Sequence, residues 1–313
     1  MILEVEKFLN KYQIQNKKAI VGFSAGSDSV TLAFILSKLA SKLNLELVLA
    51  YFNHNWRPDE AKIEQEFTQE FANKINAKCY FEIAPDGCKK NEEMARELRY
   101  QFFENAMKKF DSDVVFLAHN KNDNIETIIY RIIKGTGIKG LCSIPENRDN
   151  YYRPLLNITK EEILKFAQDN NLEYKIDSSN ENVEYRRNLI RKEILPLFKK
   201  INPNYLNNIE NLILNAQMTR EILEDELDEL NLELLENDEI NREKYISKSK
   251  ALRYEFLNNF LGDKLKYRNY KNIKKIDDFI LEKKSSQISL NRELFLKVKK
   301  NKIFFVKHNN YDK

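Results

Sequence analysis

One stretch constrains the fold more than any other. Residues 21–29, Val-Gly-Phe-Ser-Ala-Gly-Ser-Asp-Ser, follow an apolar run and precede a long amphipathic segment, which predicts a strand, a tight turn and a helix start. A glycine in such a turn lets the backbone approach a ligand, serine hydroxyls can donate to phosphate oxygens, and a helix N-terminus favours an anion. The carboxylate of Asp28 would repel phosphate unless a divalent cation stood between them, so the turn predicts a site for ATP with Mg²⁺. A serine-rich turn without a ligand is the alternative. The candidate ATP-binding residues of the turn are Ser24, Ala25, Gly26, Ser27, Asp28 and Ser29.

The 313 residues exceed what one hydrophobic core usually serves, so two domains are expected, over residues 1–205 and 206–313. In the first, strands alternate with amphipathic helices, which predicts a Rossmann-like parallel sheet with helices on both faces and right-handed crossovers. In the second, long helical segments precede short strands, which predicts a smaller helical and α+β domain. The predicted strands cover residues 19–23, 46–52, 79–83 and 113–118, then 287–290, 294–298 and 302–307.

Charge is distributed unevenly along the chain. Residues 264–313 carry 15 Lys and Arg against 5 Asp and Glu, whereas residues 1–263 carry 37 against 43. A basic C-terminal part is typical of proteins that dock a polyanion such as RNA, and a solvated face is the plainer alternative. The candidate RNA-binding residues of this part are Lys297, Lys299 and Lys300.

The apolar runs are too short to cross a membrane, and the first residues carry acidic Glu4 and Glu6 in place of a basic signal start. The three cysteines form no Cys-x-x-Cys pair, which predicts neither a disulfide framework nor a thiolate metal site. We therefore expect a cytoplasmic protein with no membrane partner. The sequence leaves a monomer and a homodimer both open.

In open parallel sheets, ligands bind beyond the carboxyl ends of the strands. Polar side chains follow the predicted strands at these ends. His54 follows the second strand and His119 the fourth. Three residues apart in the next helix, Asp123 and Glu126 share one face, although a helix N-terminus attracts acids by itself. Arginines that suit phosphate recognition occur in two clusters. They are Arg96 and Arg99, then Arg186, Arg187 and Arg191.

In order and spacing, these motifs resemble the bacterial tRNA(Ile)-lysidine synthetases, members of the PP-loop ATP pyrophosphatases. The resemblance covers residues 17–200, and the Arg-Asn-x-Ile-Arg motif is the most specific part, since related pyrophosphatases that thiolate tRNA lack it. The C-terminal domain is short enough to resemble the form without a further domain. The motifs are Ser24–Ser29, His54 with Arg57, Arg96 with Arg99 and Tyr100, His119–Thr127, Gly135–Gly137, Arg153–Leu155, Asp177–Asn180 and Arg187–Arg191.

The resemblance implies adenylation of the C2 oxygen of the wobble cytidine in the CAU anticodon of tRNA(Ile). Attack by the side-chain amine of L-lysine then releases AMP and gives lysidine. It implies catalytic roles for Asp28, Arg96, Asp123 and Glu126, the last two holding lysine, and Mg²⁺ near Asp28. It also implies ATP binding by His54, His119 and Arg187. For tRNA, the implied contacts are Arg191 and the three tail lysines.

Three departures from the family pattern stand out. Ala25 replaces a glycine, Asn122 an aspartate and Asn124 a glutamine. Ala25 implies a backbone compatible with a side chain, and Asn122 leaves one carboxylate's role open. The alternatives are a PP-loop tRNA thiolase, an ammonia-using ATP pyrophosphatase, or a tRNA-binding module that retains nucleotide without chemistry.

Overall fold

The computed structural model describes residues 1–54, 58–85, 92–175, 186–236, 239–265, 269–283 and 285–307. The chain divides into two compact units, an N-terminal unit, Met1–Gln217, and a C-terminal unit, Met218–Lys313. The division falls inside one helix, Tyr205–Leu234, which is the long helix that the sequence predicts. The expected domain boundary after residue 205 falls at the start of that helix, before the division between the two units, and stays a prediction. Among the described helices, none has both the length and the apolar character to cross a membrane.

The N-terminal unit is built on a six-stranded sheet in the order β3-β2-β1-β4-β6-β5. The first five of these strands run parallel, and β5 is an antiparallel edge. The four predicted strands and their parallel pairing are confirmed. The β5–β6 hairpin was not predicted, because two-residue strands are too short to show alternation. The strands are β1 (Lys17–Gly22), β2 (Leu45–Asn53), β3 (Lys78–Ile83), β4 (Val114–Phe116), β5 (Asn147–Arg148) and β6 (Tyr151–Tyr152).

Helices surround this sheet. The Thr-x-x-Glu spacing of Thr159 and Glu162 is the sequence pattern of a capping box, and in the structure each side chain accepts a hydrogen bond from the other residue's backbone amide. A single π-helical turn, Ile190–Ile194, separates two of the later helices. The helices are α1 (Ile2–Lys11), α2 (Ser27–Leu43), α3 (Pro58–Lys74), α4 (Glu92–Phe110), α5 (Lys121–Lys134), α6 (Ile138–Leu141), α7 (Lys160–Asp169), α8 (Arg186–Leu189), α9 (Leu195–Ile201) and α10 (Tyr205–Leu234).

The strands bury both of their faces, which confirms the predicted layers. Ala19 and Val21 of β1 join a core that includes side chains of α1, α2, α3 and α7. Ile20 between them joins a second core with Phe102 and Phe103 of α4. Successive side chains of a strand point to opposite faces, so this alternation places helices on both sides of the sheet.

The C-terminal unit contains an antiparallel sheet in the order β7-β8-β11-β10-β9. The three predicted strands form its β9-β10-β11 meander, and the short strands β7 and β8 were not predicted. A buried core joins this sheet to α11, α12, α13 and the C-terminal part of α10. Its elements are β7 (Leu235–Glu236), β8 (Glu239–Asn241), α11 (Arg242–Ser247), α12 (Lys250–Leu261), α13 (Tyr270–Glu282), β9 (Ser285–Ser289), β10 (Leu294–Lys299) and β11 (Lys302–Lys307).

Candidate functional site

The predicted phosphate turn joins β1 to α2, and its serines differ in what they can reach. The hydroxyl of Ser29 donates to the carbonyl oxygen of Gly26 at 3.0 Å and accepts from the backbone amide of Ser24 at 3.2 Å. Ser29 is therefore buried inside the turn and shapes it, while Ser24 is exposed. The expected phosphate contact fits Ser24 better than Ser29, whose hydrogen already has an acceptor within the turn.

Ala25 has a left-handed backbone, with φ of +58°. Left-handed backbone favours glycine, the residue that the family pattern has here, so the position holds its side chain at a cost in backbone strain. The methyl group of Ala25 is fully buried in the core of the unit, and its carbonyl oxygen accepts from the backbone amide of Lys175 at 2.9 Å. The methyl therefore points into the core, and core packing offsets part of the strain.

Asp28 in the first turn of α2 bonds to a cation that the sequence did not single out. The Nζ atom of Lys160 lies 2.7 Å from Oδ1 of Asp28 and 2.7 Å from Oγ of Ser27. Burial raises the pKa of Asp28 above its ordinary value, and the Lys160 ammonium opposes that rise. No sequence signal marks Lys160, which stands more than 130 residues away at the start of α7.

The predicted pair Asp123 and Glu126 does share a face, at the start of α5. Glu126 is 2% exposed, and both of its oxygens accept from Arg191, at 2.6 Å from Nε and 2.9 Å from Nη2. Asp123 accepts from the same guanidinium at 3.3 Å. Arg191, expected on the tRNA, thus binds the carboxylate pair in this structure, and its contact with tRNA stays a prediction.

Asp123 also takes part in capping the N-terminus of α5. Its Oδ2 accepts from the backbone amide of Asn120 at 3.0 Å, while the side chain of Asn120 accepts from the amide of Asp123 at 3.0 Å. This capping box stabilises the N-terminus of α5. Asp123 is therefore a structural cap as well as a candidate lysine ligand. In its neighbour Glu126, burial raises the pKa above the ordinary value.

Both asparagines that depart from the family pattern hold neighbouring backbone. Oδ1 of Asn122 accepts from the backbone amide of Lys160 at 2.9 Å. Oδ1 of Asn124 accepts from the amide of Ile144 at 3.0 Å and from the hydroxyl of Ser143. These contacts need an acceptor oxygen, which an amide side chain supplies without adding negative charge.

His119 lies three residues beyond β4, among arginines. Burial, followed by the charges of Arg153, Arg99, Arg187 and Arg96, lowers its pKa to about 3. Its Nδ1 atom is buried and has no hydrogen-bond partner within the described chain. His119 is therefore neutral at pH 7, and the arginines around it make this region favourable for an anion.

Arg153 is the most buried member of this cluster, at 3% exposure, and its Nη1 donates to the carbonyl oxygen of Pro145 at 3.0 Å. Arg96 is exposed on α4, where its Nη2 lies 3.3 Å from the hydroxyl of Tyr100. Burial, followed by Arg99, lowers the pKa of His54 to about 4. Arg57 and residues 177–180 lie outside the described residues.

Side chains of the turn, the carboxylate pair and the arginine cluster are close enough to shift one another's pKa values. Asp123 and Arg191 both shift the pKa of Asp28, in opposite directions, and Arg187 acts on both Glu126 and His119. The structure therefore brings together the turn, the carboxylate pair and the arginine cluster at the carboxyl ends of the parallel strands.

Gly135 is the C-cap of α5 with φ of +81°, a left-handed backbone conformation that favours glycine at the end of a helix. Cys79 and Cys142 are free thiols, and burial raises the pKa of Cys79 to about 11. Cys88 lies outside the described residues.

In the C-terminal unit, Lys297 and Lys299 lie on β10 on the face opposite buried Leu296 and Val298. Lys300 follows in the turn to β11. The three lysines therefore lie close together in the sequence, at the end of β10 and in the turn to β11.

Comparison with known proteins identifies the family. A family model described as the PP-loop domain matches residues 1–198. The tRNA(Ile)-lysidine synthase of Petrotoga mobilis is 36% identical over 213 residues, which cover 64% of this chain and 67% of that protein. The chain belongs to the tRNA(Ile)-lysidine synthase family of PP-loop proteins. The synthase of Thermotoga maritima is 33% identical over 216 residues, which cover 67% of this chain and 52% of that protein.

This PP-loop chain thus spans between half and two thirds of these two relatives. Among solved structures, the U34-tRNA thiolase NcsA of Methanococcus maripaludis, determined with its 4Fe-4S cluster, aligns with a TM-score of 0.58. The alignment covers 70% of this chain and 77% of NcsA at 16% identity. At that identity the likeness concerns the fold alone.

Proposed function

We propose that this protein is a tRNA(Ile)-lysidine synthetase, a ligase that forms a carbon–nitrogen bond. In the first step, the C2 oxygen of the wobble cytidine in the CAU anticodon attacks the α-phosphorus of ATP. An oxygen–phosphorus bond forms, and the bond to the β-phosphate breaks to release pyrophosphate. In the second step, the side-chain amine of L-lysine attacks C2, a carbon–nitrogen bond forms, and AMP leaves with the oxygen.

The first step needs stabilisation of negative charge on the phosphates. The amides at the start of α2 and the exposed hydroxyl of Ser24 are suited to the leaving pyrophosphate. The arginines around His119 are suited to the α-phosphate, and we assign that contact to Arg96. His54, His119 and Arg187 complete the nucleotide site, the two histidines as neutral groups.

A magnesium ion bound with ATP would neutralise charge on the leaving pyrophosphate. Asp28 fits such an ion, since a carboxylate has enough lone pairs to bind both Lys160 and a cation. Among the described residues, no group of three or more His, Cys, Asp or Glu side chains is arranged to hold a metal. The ion would therefore be bound by Asp28, phosphate oxygens of ATP and water.

The observation that carries the proposal is the carboxylate pair bound to a cation beside the nucleotide turn. Asp123 and Glu126 hold the guanidinium of Arg191. The ammonium of lysine has the same charge, so the same pair is suited to bind it. Lysine must lose a proton before it attacks, and the raised pKa of Glu126 suits that carboxylate to accept it.

Asp28→Ala tests the assignment of the turn. We expect pyrophosphate release in the presence of ATP, L-lysine and tRNA(Ile) to fall by about a hundredfold or more, since the turn would lose its cation-binding carboxylate. Asp169→Ala, an exposed aspartate at the end of α7, is the matched control and should leave turnover unchanged. Near-normal turnover by Asp28→Ala would overturn the assignment. Release that depends on ammonia or a sulfur donor in place of lysine would favour another PP-loop activity.

A further inference from the structure

Lys160 brings a positive charge into the phosphate turn from a distant part of the chain. It is the first residue of α7, and its Nζ lies 2.7 Å from both Ser27 Oγ and Asp28 Oδ1. Its side chain is 36% exposed and that of Asp28 is 28% exposed. The side chain of Lys160 is therefore partly exposed to solvent while its ammonium contacts the turn.

The backbone of Lys160 is fixed independently of its side chain. Its amide donates to Asn122 Oδ1 at 2.9 Å, and the amide of Lys121 donates to the carbonyl oxygen of Ile158 at 2.9 Å. The capping box of Thr159 holds the preceding residue. Lys160 is thus attached to α5 as well as to α7, so its position beside the turn does not depend on the ion pair alone.

The charge of the turn explains why a cation is needed there. Asp28 lies in the first turn of α2, where the helix N-terminus favours an anion, and its carboxylate would repel a phosphate at the same place. An ammonium group has three hydrogens, and contacts with Ser27 and Asp28 engage two of them. One hydrogen remains for a ligand oxygen.

We propose that Lys160 is a nucleotide-contacting residue that offsets the charge of Asp28 and donates a hydrogen bond to the pyrophosphate part of ATP. This role rests on one part of the proposed function, the binding of a nucleotide. It needs no assumption about tRNA or lysine. It also gives Asn122 a purpose, since Asn122 fixes the backbone from which the ammonium reaches the turn.

Calorimetric titration of the full chain at saturating Mg²⁺ tests the proposal with three ligands: α,β-methylene-ATP, pyrophosphate and AMP. In Lys160→Met, we expect binding of the first two to weaken by about ten- to hundredfold, the usual effect of losing a charge-assisted hydrogen bond. AMP lacks the pyrophosphate part, so its affinity should stay within about twofold, well below the effect of a charge-assisted bond. Lys160→Arg keeps the cation and should retain most of the affinity.

Lys165→Met, an exposed lysine on the same helix, is the matched control and should bind all three ligands normally. Equal losses for AMP and for α,β-methylene-ATP in Lys160→Met would show a merely structural role and overturn the proposal. So would unchanged pyrophosphate binding, or an arginine variant as weak as the methionine variant. Because no step measures lysidine, a failure here is distinguishable from a failure of the proposed activity.

Discussion

At the scale of single residues, burial decides the chemistry of His119. Burial and the surrounding arginines lower its pKa to about 3, so the folded protein keeps the imidazole neutral where an exposed histidine would titrate. A neutral imidazole can accept a hydrogen bond through one nitrogen, which none of the neighbouring arginines can do. His119 therefore adds an acceptor to a site that is otherwise rich in donors.

This lowered pKa makes folding sensitive to acid. The unfolded chain binds a proton at His119 below its ordinary pKa of 6.5, whereas the folded chain stays neutral down to about pH 3. Stability is thus fully present above pH 6.5 and is lost as the pH falls toward 3. Between pH 7.5 and 5.5 we expect the free energy of unfolding of wild type to lose about 1 kcal/mol more than that of His119→Gln. Urea unfolding at the two pH values measures this, and equal losses in both proteins would contradict it.

The backbone conformation of Ala25 could not be predicted from the residue pattern. The sequence shows that an alanine replaces a glycine, but the sign of φ depends on the path of the whole turn. The buried methyl group and the left-handed backbone act in opposite directions on stability, by about 1 kcal/mol each. The departure from the family pattern is therefore tolerated in the fold and leaves the phosphate side of the turn clear of the methyl group.

At the scale of elements, β1 and α4 approach each other closely at Gly22. A Cβ atom added there would lie 2.9 Å from Cζ of Phe103 and 3.0 Å from Cδ2 of Leu117, both buried. These side chains have no free space to move into, because they belong to a packed core.

Gly22→Ala should therefore lower the free energy of unfolding by about 1–3 kcal/mol through overpacking. Gly137→Ala is the matched control, since nothing lies within 4 Å of an added Cβ there. Thermal or urea unfolding followed by circular dichroism compares the two variants. A Gly22→Ala protein as stable as Gly137→Ala would show that α4 packs less tightly against β1.

Elements with strong periodicity could be predicted from the sequence, and elements defined by tertiary contacts could not. The strand, turn and helix around Ser24–Ser29 and the capping box of Thr159 follow from local patterns, and the structure confirms them. The two- and three-residue strands of the hairpins are too short to show a period. Lys160 carries no signal because its role comes from a partner on another helix. The pairing of Arg191 with the carboxylates is hidden for the same reason.

At the scale of the whole molecule, the charge is uneven within the C-terminal unit. Residues 264–313 carry 15 Lys and Arg against 5 Asp and Glu, whereas residues 218–263 carry 6 against 13. Lys297 and Lys299 lie on β10, and Lys300 follows in the turn to β11. Under the proposed function, the basic segment would hold the RNA by its phosphates and the predicted site of the N-terminal unit would modify the base, which is a division of tasks between the two units.

Neutralising the three lysines tests that division. Changing Lys297, Lys299 and Lys300 to Gln should weaken tRNA binding and reduce the slope of log affinity against log salt by about 1 for each lost phosphate contact. Nucleotide binding should stay unchanged. Three exposed lysines of the N-terminal unit, Lys62, Lys74 and Lys108, provide a control of equal charge change. If both triple variants bound tRNA equally well, the basic tail would be only a solvated face.

The most direct test of the proposed function is the mass of the wobble nucleoside. The full chain is incubated with ATP, Mg²⁺, L-lysine and a tRNA(Ile) that carries the CAU anticodon, and the tRNA is then digested to nucleosides. We expect cytidine to be replaced by a lysine adduct, formed only when both ATP and lysine are present. Unmodified cytidine after complete incubation, with the nucleotide site shown to bind ATP, would contradict the proposed function.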